Sequence, residues 1–254
     1  MTPSYPHPLE EQKEYQRLEW KAETDSLNRP DLKSLLHRRQ DAAGIQIERL
    51  NRGEKFEKEE DFLYVVCRVK GIFYRPVEKN ESLLLVTYPR AFSLIQSERY
   101  CYLLDKEDKP VFALSTLWVY RDPKTRKRKP VRKAKDQVRK NAPEIAKRIP
   151  LPCFERLKGL DRSEGEFSPA LDYKVGEKDI DSNGHRNNTV YLGLAEEVTD
   201  IPFSSFEINF EKECRLGEKL SLSLLKKEEV QEVKGRKEDG TLSFKAKFYR
   251  YRYS

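Results

Sequence analysis

The sequence predicts an α+β protein made of two similar halves, and three observations point there. Residues 31–50, DLKSLLHRRQDAAGIQIERL, place Leu32, Leu35, Leu36, Ala43, Ile47 and Leu50 at helical spacing. Four segments rich in aromatic and β-branched residues follow: FLYVVCRVKGIFYR, ESLLLVTYPR, FSLIQSERYCYLLD and VFALSTLWVYRD. The order then recurs. NNTVYLGLAEEV reads as a helix with Val190, Tyr191, Leu194, Ala195 and Val198 on one face, and strand-like segments run on to FKAKFYRYRY.

In the first half the turn DKEDKP predicts a hairpin between the last two strands. Residues 122–150 are dense in charge and read as a basic connector, partly helical near KDQVRKNAPEIAKRI. The second half opens with FSPALDYKVGEKDIDSNGH, a strand entering a turn, and KEDGTLSFKAKFY closes it as a turn and strand. Three matches support an internal duplication: NESLLLV (80–86) with GEKLSLS (217–223), KEDKPVFALSTLWVY (106–120) with KEDGTLSFKAKFY (237–249), and TDSLNRPDLKSLL (24–36) with the region of IDSNGHRNNTVYL. The expected organisation is an N-terminal domain over 1–121, a basic linker over 122–150 and a C-terminal domain over 151–254.

Composition narrows the function. Across 254 residues, 37% are hydrophobic and 37% charged, and 50 Lys and Arg against 43 Asp and Glu give +7, a field that favours acidic partners. Cys67, Cys101, Cys153 and Cys214 form no C-x-x-C pair, which disfavours a zinc ribbon and fits reduced thiols. The only histidines are His7, His37 and His185, so a His-rich metal site is excluded, and neither a G-x-S-x-G elbow nor a phosphate-binding G-x-x-x-x-G-K-[ST] loop occurs. With no signal-like start and no membrane-length apolar run, the expectation is a cytoplasmic protein without metal or organic cofactor.

The densest chemistry lies in DIDSNGHRNN, residues 179–188. One reading is architectural: Asp181-Ser182-Asn183-Gly184 is good turn chemistry, and Asn187 or Asn188 would cap the helix. The other is hydrolytic. A helix N-terminus offers unpaired N–H groups to a developing oxyanion, Asp181 can take a proton, Asn183 offers an amide donor and His185 can shuttle a proton near neutral pH. The first repeat keeps Asp25 and Asn28 but has no histidine and no Asn-Asn there, so one half carries an extra constellation.

DIDSNGHRNNTVYL resembles the Asp-x-Asn-x-His-x-Asn-Asn-x-x-Tyr motif of the acyl-acyl carrier protein (acyl-ACP) thioesterases, a family with two tandem hotdog domains. INFEKECRLGEKL resembles the family's later strand with its Glu-Cys pair, here Glu213 and Cys214. YVVCRVKGIFYRPVEKNESLLLVTYPRAF and LSTLWVY resemble its first-half strands, with Tyr64 and Tyr88 where tryptophan is more usual and a consequent change in the acyl pocket. The resemblance covers roughly 15–121 and 150–251. It implies a pseudo-dimer in which each half wraps an antiparallel sheet around a long helix and the two sheets join. It implies Asp181, Asn183, His185 and Glu213 as the catalytic network. Cys214 is then either catalytic or a small buried residue on a strand, and in the repeat Pro76 stands opposite Glu213.

The implied function is hydrolysis of fatty acyl-ACP to free fatty acid by carboxylate-assisted water attack. The alternatives are an acyl-CoA thioesterase, or a non-catalytic hotdog protein that binds acyl ligands or nucleic acid. The implied partner is acyl carrier protein with its phosphopantetheine-linked acyl chain. KTRKRKPVRKAKDQVRK would steer this acidic carrier as a connector with a docking role, with a plain connector second and a nucleic-acid contact third. No membrane partner is expected, and the assembly is a monomer or homodimer. The N-terminal half would hold the acyl pocket, and the helical spacing of Leu36, Gln40 and Ile47 suits core packing first and lining of that pocket second.

Overall fold

Alternation of side chains decides the sheet. In LLLVTY the odd-numbered residues Leu83 and Leu85 join the core shared with the helices, while Leu84, Val86 and Tyr88 pack on the opposite face. Both faces of this part of the sheet are buried, so the sequence reads as a nearly continuous apolar run. The computed structural model describes residues 16–25, 29–51, 62–131, 160, 165–180 and 187–251. In chain order the elements are β1 (Gln16–Lys21), α1 (Leu32–Asn51), β2 (Leu63–Phe73), β3 (Ser82–Phe92), β4 (Gln96–Leu104), β5 (Pro110–Arg121), β6 (Ser168–Lys174), α2 (Asn188–Glu197), β7 (Phe203–Phe210), β8 (Lys219–Lys226), β9 (Val230–Lys237) and β10 (Leu242–Arg250).

The ten strands form one sheet in the order β1-β3-β4-β5-β2-β7-β10-β9-β8-β6. Read outward from the centre, each half has the same connectivity, so β1 to β5 correspond to β6 to β10. The halves meet where β2 pairs antiparallel with β7, from Arg68 opposite Asn209 to Ile72 opposite Ser205. This is the tandem hotdog arrangement, with two sheets fused into one and both helices packed on the same face. One core runs through both halves, from Leu32, Leu35 and Leu36 of α1 to Leu192, Leu194 and Ala195 of α2. Each such fully buried Leu contributes roughly 1.5–3 kcal/mol relative to exposure.

Several expectations change. β1 was not expected as a strand: QRLEWK is short and charged, as suits an edge strand, and it pairs with β3. The second helix has ten residues against twenty in α1, so only the first half has a long helix. The match of 106–120 with 237–249 slips by one residue. Asp108 and Gly240 hold the equivalent turn positions, at φ 58° and 79°, and Phe112 is then the counterpart of Phe244. The match of 80–86 with 217–223 holds: Asn80 and Gly217 both have positive φ and both close onto the strand before the helix. Tyr88 packs with Tyr100 and Tyr102 on the face away from α1, so its replacement of tryptophan does not touch a pocket beneath the helix. The basic segment begins as a built turn: Asp122 accepts from the backbone of Lys124 and Thr125, and Val131 N donates to Leu94 O. The rest of it, residues 132–150, lies outside the described residues.

The seam depends on a missing side chain. Gly71 lies opposite Phe206 across β2 and β7, and a Cβ there would meet Phe206 Cε1 at 2.5 Å and Phe112 Cε2 at 2.8 Å. Gly71→Ala should therefore destabilise the chain by about 1–3 kcal/mol. Thermal unfolding should show it as a fall of roughly 2–4 °C per kcal/mol. An unchanged Tm would contradict the packing described at the seam.

Candidate active site

The motif segment is clasped at its base. A 3-10 turn, Glu177–Asp179, precedes it, and Asp179 is buried. The Asp179 carboxylate accepts from Tyr173 Oη at 2.7 Å and from Gly176 N at 2.9 Å, and its carbonyl accepts from Asn187 N at 2.8 Å. The chain thus leaves at Ile180 and returns at Asn187 within one hydrogen bond of Asp179. Asp181, Asn183 and His185 lie between these points, outside the described residues.

Asn187 is the N-cap of α2, as the sequence allows: its Oδ1 accepts from Thr189 N at 3.1 Å. Among the described residues none accepts from the N–H of Asn188, the first residue of the helix. Two side chains reach this helix end from the other half. Gln40 Nε2 donates to Asn187 Oδ1 at 3.4 Å, and His37 Nε2 lies 2.9 Å from Thr189 Oγ1. Gln40 is therefore a neighbour of the motif rather than merely a liner beneath α1. Sequence reading passed over His37; the available signal was a polar pair three residues apart on a helix whose other face is apolar.

Glu213 and Cys214 lie in the loop between β7 and β8, not on a strand as expected. Glu213 is exposed and Cys214 is fully buried. Cys214 N donates to Tyr191 Oη at 2.7 Å, one helical turn beyond Asn187, which anchors the Glu213 loop against α2. Cys214 Sγ lies 3.3 Å from Ser243 Oγ. By the register of Asn80 with Gly217, Cys214 corresponds to Val77, also buried, and Glu213 to Pro76. A valine in the twin position suits a packing role for the thiol.

The opposite pole, at the N-terminus of α1, is closed. Asp31 occupies the place of Asn187 and caps Ser34 N at 3.0 Å. Counting from those caps, Glu196 stands where Gln40 stands at the other pole. Glu196 Oε2 accepts from Leu32 N at 3.2 Å, so a carboxyl group of the protein fills the anion position of that helix end. Arg29 braces it: Nη1 donates to Thr199 O at 2.7 Å and Nε pairs with Asp25 at 2.6 Å. A cavity of about 390 Å³ lies beside them, lined by Lys33, Tyr173 and Gly193 among others. Among the described residues no cluster of His, Cys, Asp or Glu is arranged to hold a metal ion, and no helix is long and apolar enough to cross a membrane.

Comparisons with known proteins agree with the fold. Residues 163–245 match the family model of the acyl-ACP thioesterase C-terminal domain. A comparison with curated proteins finds no match. Among solved structures, the chain is similar to an acyl-ACP thioesterase from Bacteroides thetaiotaomicron, with TM-score 0.74 and 18% identity over 92% of this chain and 97% of that one. It is also similar to a 12:0-ACP thioesterase from Umbellularia californica, with TM-score 0.75 and 15% identity over 94% and 97% of the two chains.

Glu196 makes the closed pole sensitive to pH. Burial pushes its carboxyl up to about 8, against the opposing pull of Leu32 N–H and Arg29. The folded-state pKa is thus raised, and ionisation counts against the fold as pH climbs from the ordinary glutamate range through about 8. Glu196→Gln removes that loss. The Tm of the variant relative to the native chain should rise between about pH 5 and about pH 9, by roughly 2–4 °C per kcal/mol recovered. A difference in Tm that stays flat with pH would contradict the burial of an ionisable group there.

Proposed function

We propose that the chain, whose residues 163–245 match the family model of the acyl-ACP thioesterase C-terminal domain, hydrolyses the thioester of fatty acyl-ACP to free fatty acid and carrier thiol. The observation that carries this is the family match falling on the half whose helix starts at Asn187, where among the described residues no group accepts from the Asn188 N–H. The α1 end is filled by Glu196, whereas the α2 end meets the neutral Gln40. We assign catalysis to the C-terminal domain, 151–254, and the acyl pocket to the N-terminal domain, 1–121. The basic linker, 122–150, is assigned to steering the acidic carrier protein.

In this reading the thioester carbonyl lies at the α2 N-terminus, held by Asn183 and His185. Asp181 or Glu213 takes a proton from water as its oxygen bonds to the carbonyl carbon. The negative charge on the carbonyl oxygen is stabilised by helix N–H groups and the Asn183 amide. Collapse of the tetrahedral intermediate breaks the carbon–sulfur bond, and the departing phosphopantetheine thiolate is protonated by His185. Exposure suits Glu213 to this task, and burial of Cys214 counts against a cysteine nucleophile. None of these steps requires a metal or organic cofactor. An acyl-CoA thioesterase is the nearest rival, and it differs only in the carrier.

Release of free thiol from matched acyl-ACP and acyl-CoA substrates tests both points. Turnover on the carrier protein should exceed that on CoA, and equal or reversed rates would favour the rival. Asp181→Ala, His185→Ala and Glu213→Ala should each lower kcat about a hundredfold or more. Cys214→Ala should keep much of the activity, and a folded but inactive Cys214→Ala chain would overturn the carboxylate mechanism.

A further inference from the structure

The inner face of the first half is polar where its twin is apolar. Arg39 of α1 faces the sheet at 3% exposure, with Gln46 two turns on at 2%. Arg39 Nε and Nη1, Gln46 Nε2 and Thr116 Oγ1 are buried without a hydrogen-bond partner. On the strands beneath, Arg99 is buried and donates through Nη1 to Gln46 Oε1 at 2.7 Å, and Arg99 stands opposite Thr116 across β4 and β5. Both guanidinium groups flank Cys101, and burial pushes that thiol up to about 12, so it supplies no negative charge at neutral pH. Arg39 also lies over the Trp118 ring, with Cζ 5.8 Å from the centroid.

The duplication supplies the control. By the register of caps and turns, Arg39 corresponds to Ala195. The pair Thr87–Cys101 corresponds to Leu224–Val233, and Arg99–Thr116 corresponds to Gln231–Phe248. The second half thus fills the same space chiefly with hydrocarbon. An unpaired buried guanidinium costs several kcal/mol. The unspent groups here are mainly donors, and Arg39 carries positive charge. A ligand that satisfies them brings acceptor oxygens and negative charge.

We propose that Arg39, Gln46, Arg99 and Thr116 form a carboxylate-binding site between α1 and the sheet of the first half, for the far-end carboxylate of an alkyl chain. Arg39 adjoins Gln40, which touches the cap of α2, so an acyl chain running from the thioester site beneath α1 would pass toward Arg39. Two sources share this chemistry: an acyl group with a carboxylate at its distal end, or a free fatty acid seated by its headgroup. The choice of an acyl ligand rests on the thioesterase reading; the donor cluster does not.

The test uses the full chain and Arg39→Met. Calorimetry with adipate, hexanoate and hexanol reads the site without activity. The carboxylates should bind the native chain, hexanol should not, and Arg39→Met should bind at least about tenfold more weakly, the expected loss for a charge-assisted hydrogen bond. Without ligand, Arg39→Met should match or exceed the native Tm, because an unpaired buried charge has gone. A lower Tm would make Arg39 a structural residue and overturn the proposal, as would absent or unaltered carboxylate binding. Turnover separates the sources: if the ratio of kcat/KM for ω-carboxyacyl-ACP over alkyl acyl-ACP falls in Arg39→Met, the acyl terminus is the ligand, and an unchanged ratio with lost binding assigns the free acid. Carboxylate binding with no turnover on any acyl-ACP leaves this site standing and removes the thioesterase reading.

Discussion

The antiparallel pairing of β2 with β7 is the contact on which the molecule depends. It turns two five-stranded sheets into one and sets both helices on the same face. Only with the halves so joined can α1 present His37 and Gln40 to the first turn of α2, and α2 present Glu196 to the first turn of α1. Each helix end is capped by its own half and reached by a side chain of the other. The packing of Gly71 against Phe206 fixes how closely the strands approach, and through them where the helix ends meet.

From this shared frame the two poles diverge by a few side chains. Glu196 places a carboxyl group on the Leu32 N–H, which satisfies a donor that would otherwise face a ligand. Gln40, in the matching position, donates to the cap residue and carries no charge. The divergence continues inside the first half, where Arg39, Thr87, Cys101 and Thr116 replace Ala195, Leu224, Val233 and Phe248. Under the proposed function one pole works, and Glu196 seals the other.

Much of the fold was legible because periodicity reports burial directly. The alternation in β3 to β5, the helical spacing of Leu32, Leu35 and Leu36, and the cap at Asn187 all read correctly. β1 escaped because an edge strand pairs on one side only and tolerates Glu and Lys. The slip of one residue between β5 and β10 arose from aligning the shared letters Lys-Glu-Asp, whereas turn geometry places Asp108 with Gly240. At the base of the motif, the cap at Asn187 was readable but its partners from the other half were not. His37 and Gln40 reach the cap only through helix-helix contact, and the burial of charged residues such as Arg39 and Glu196 arises from tertiary packing that no local spacing signals.

The most direct measurement is the stoichiometry with which a non-hydrolysable acyl-ACP thioether binds the native chain, read by calorimetry with the bound pole mapped by amide exchange. One equivalent per chain, protecting the first turn of α2 and leaving that of α1 unchanged, is the expected result. Two equivalents, or protection at the Glu196 pole, would contradict a single site built where the first helix meets the start of the second.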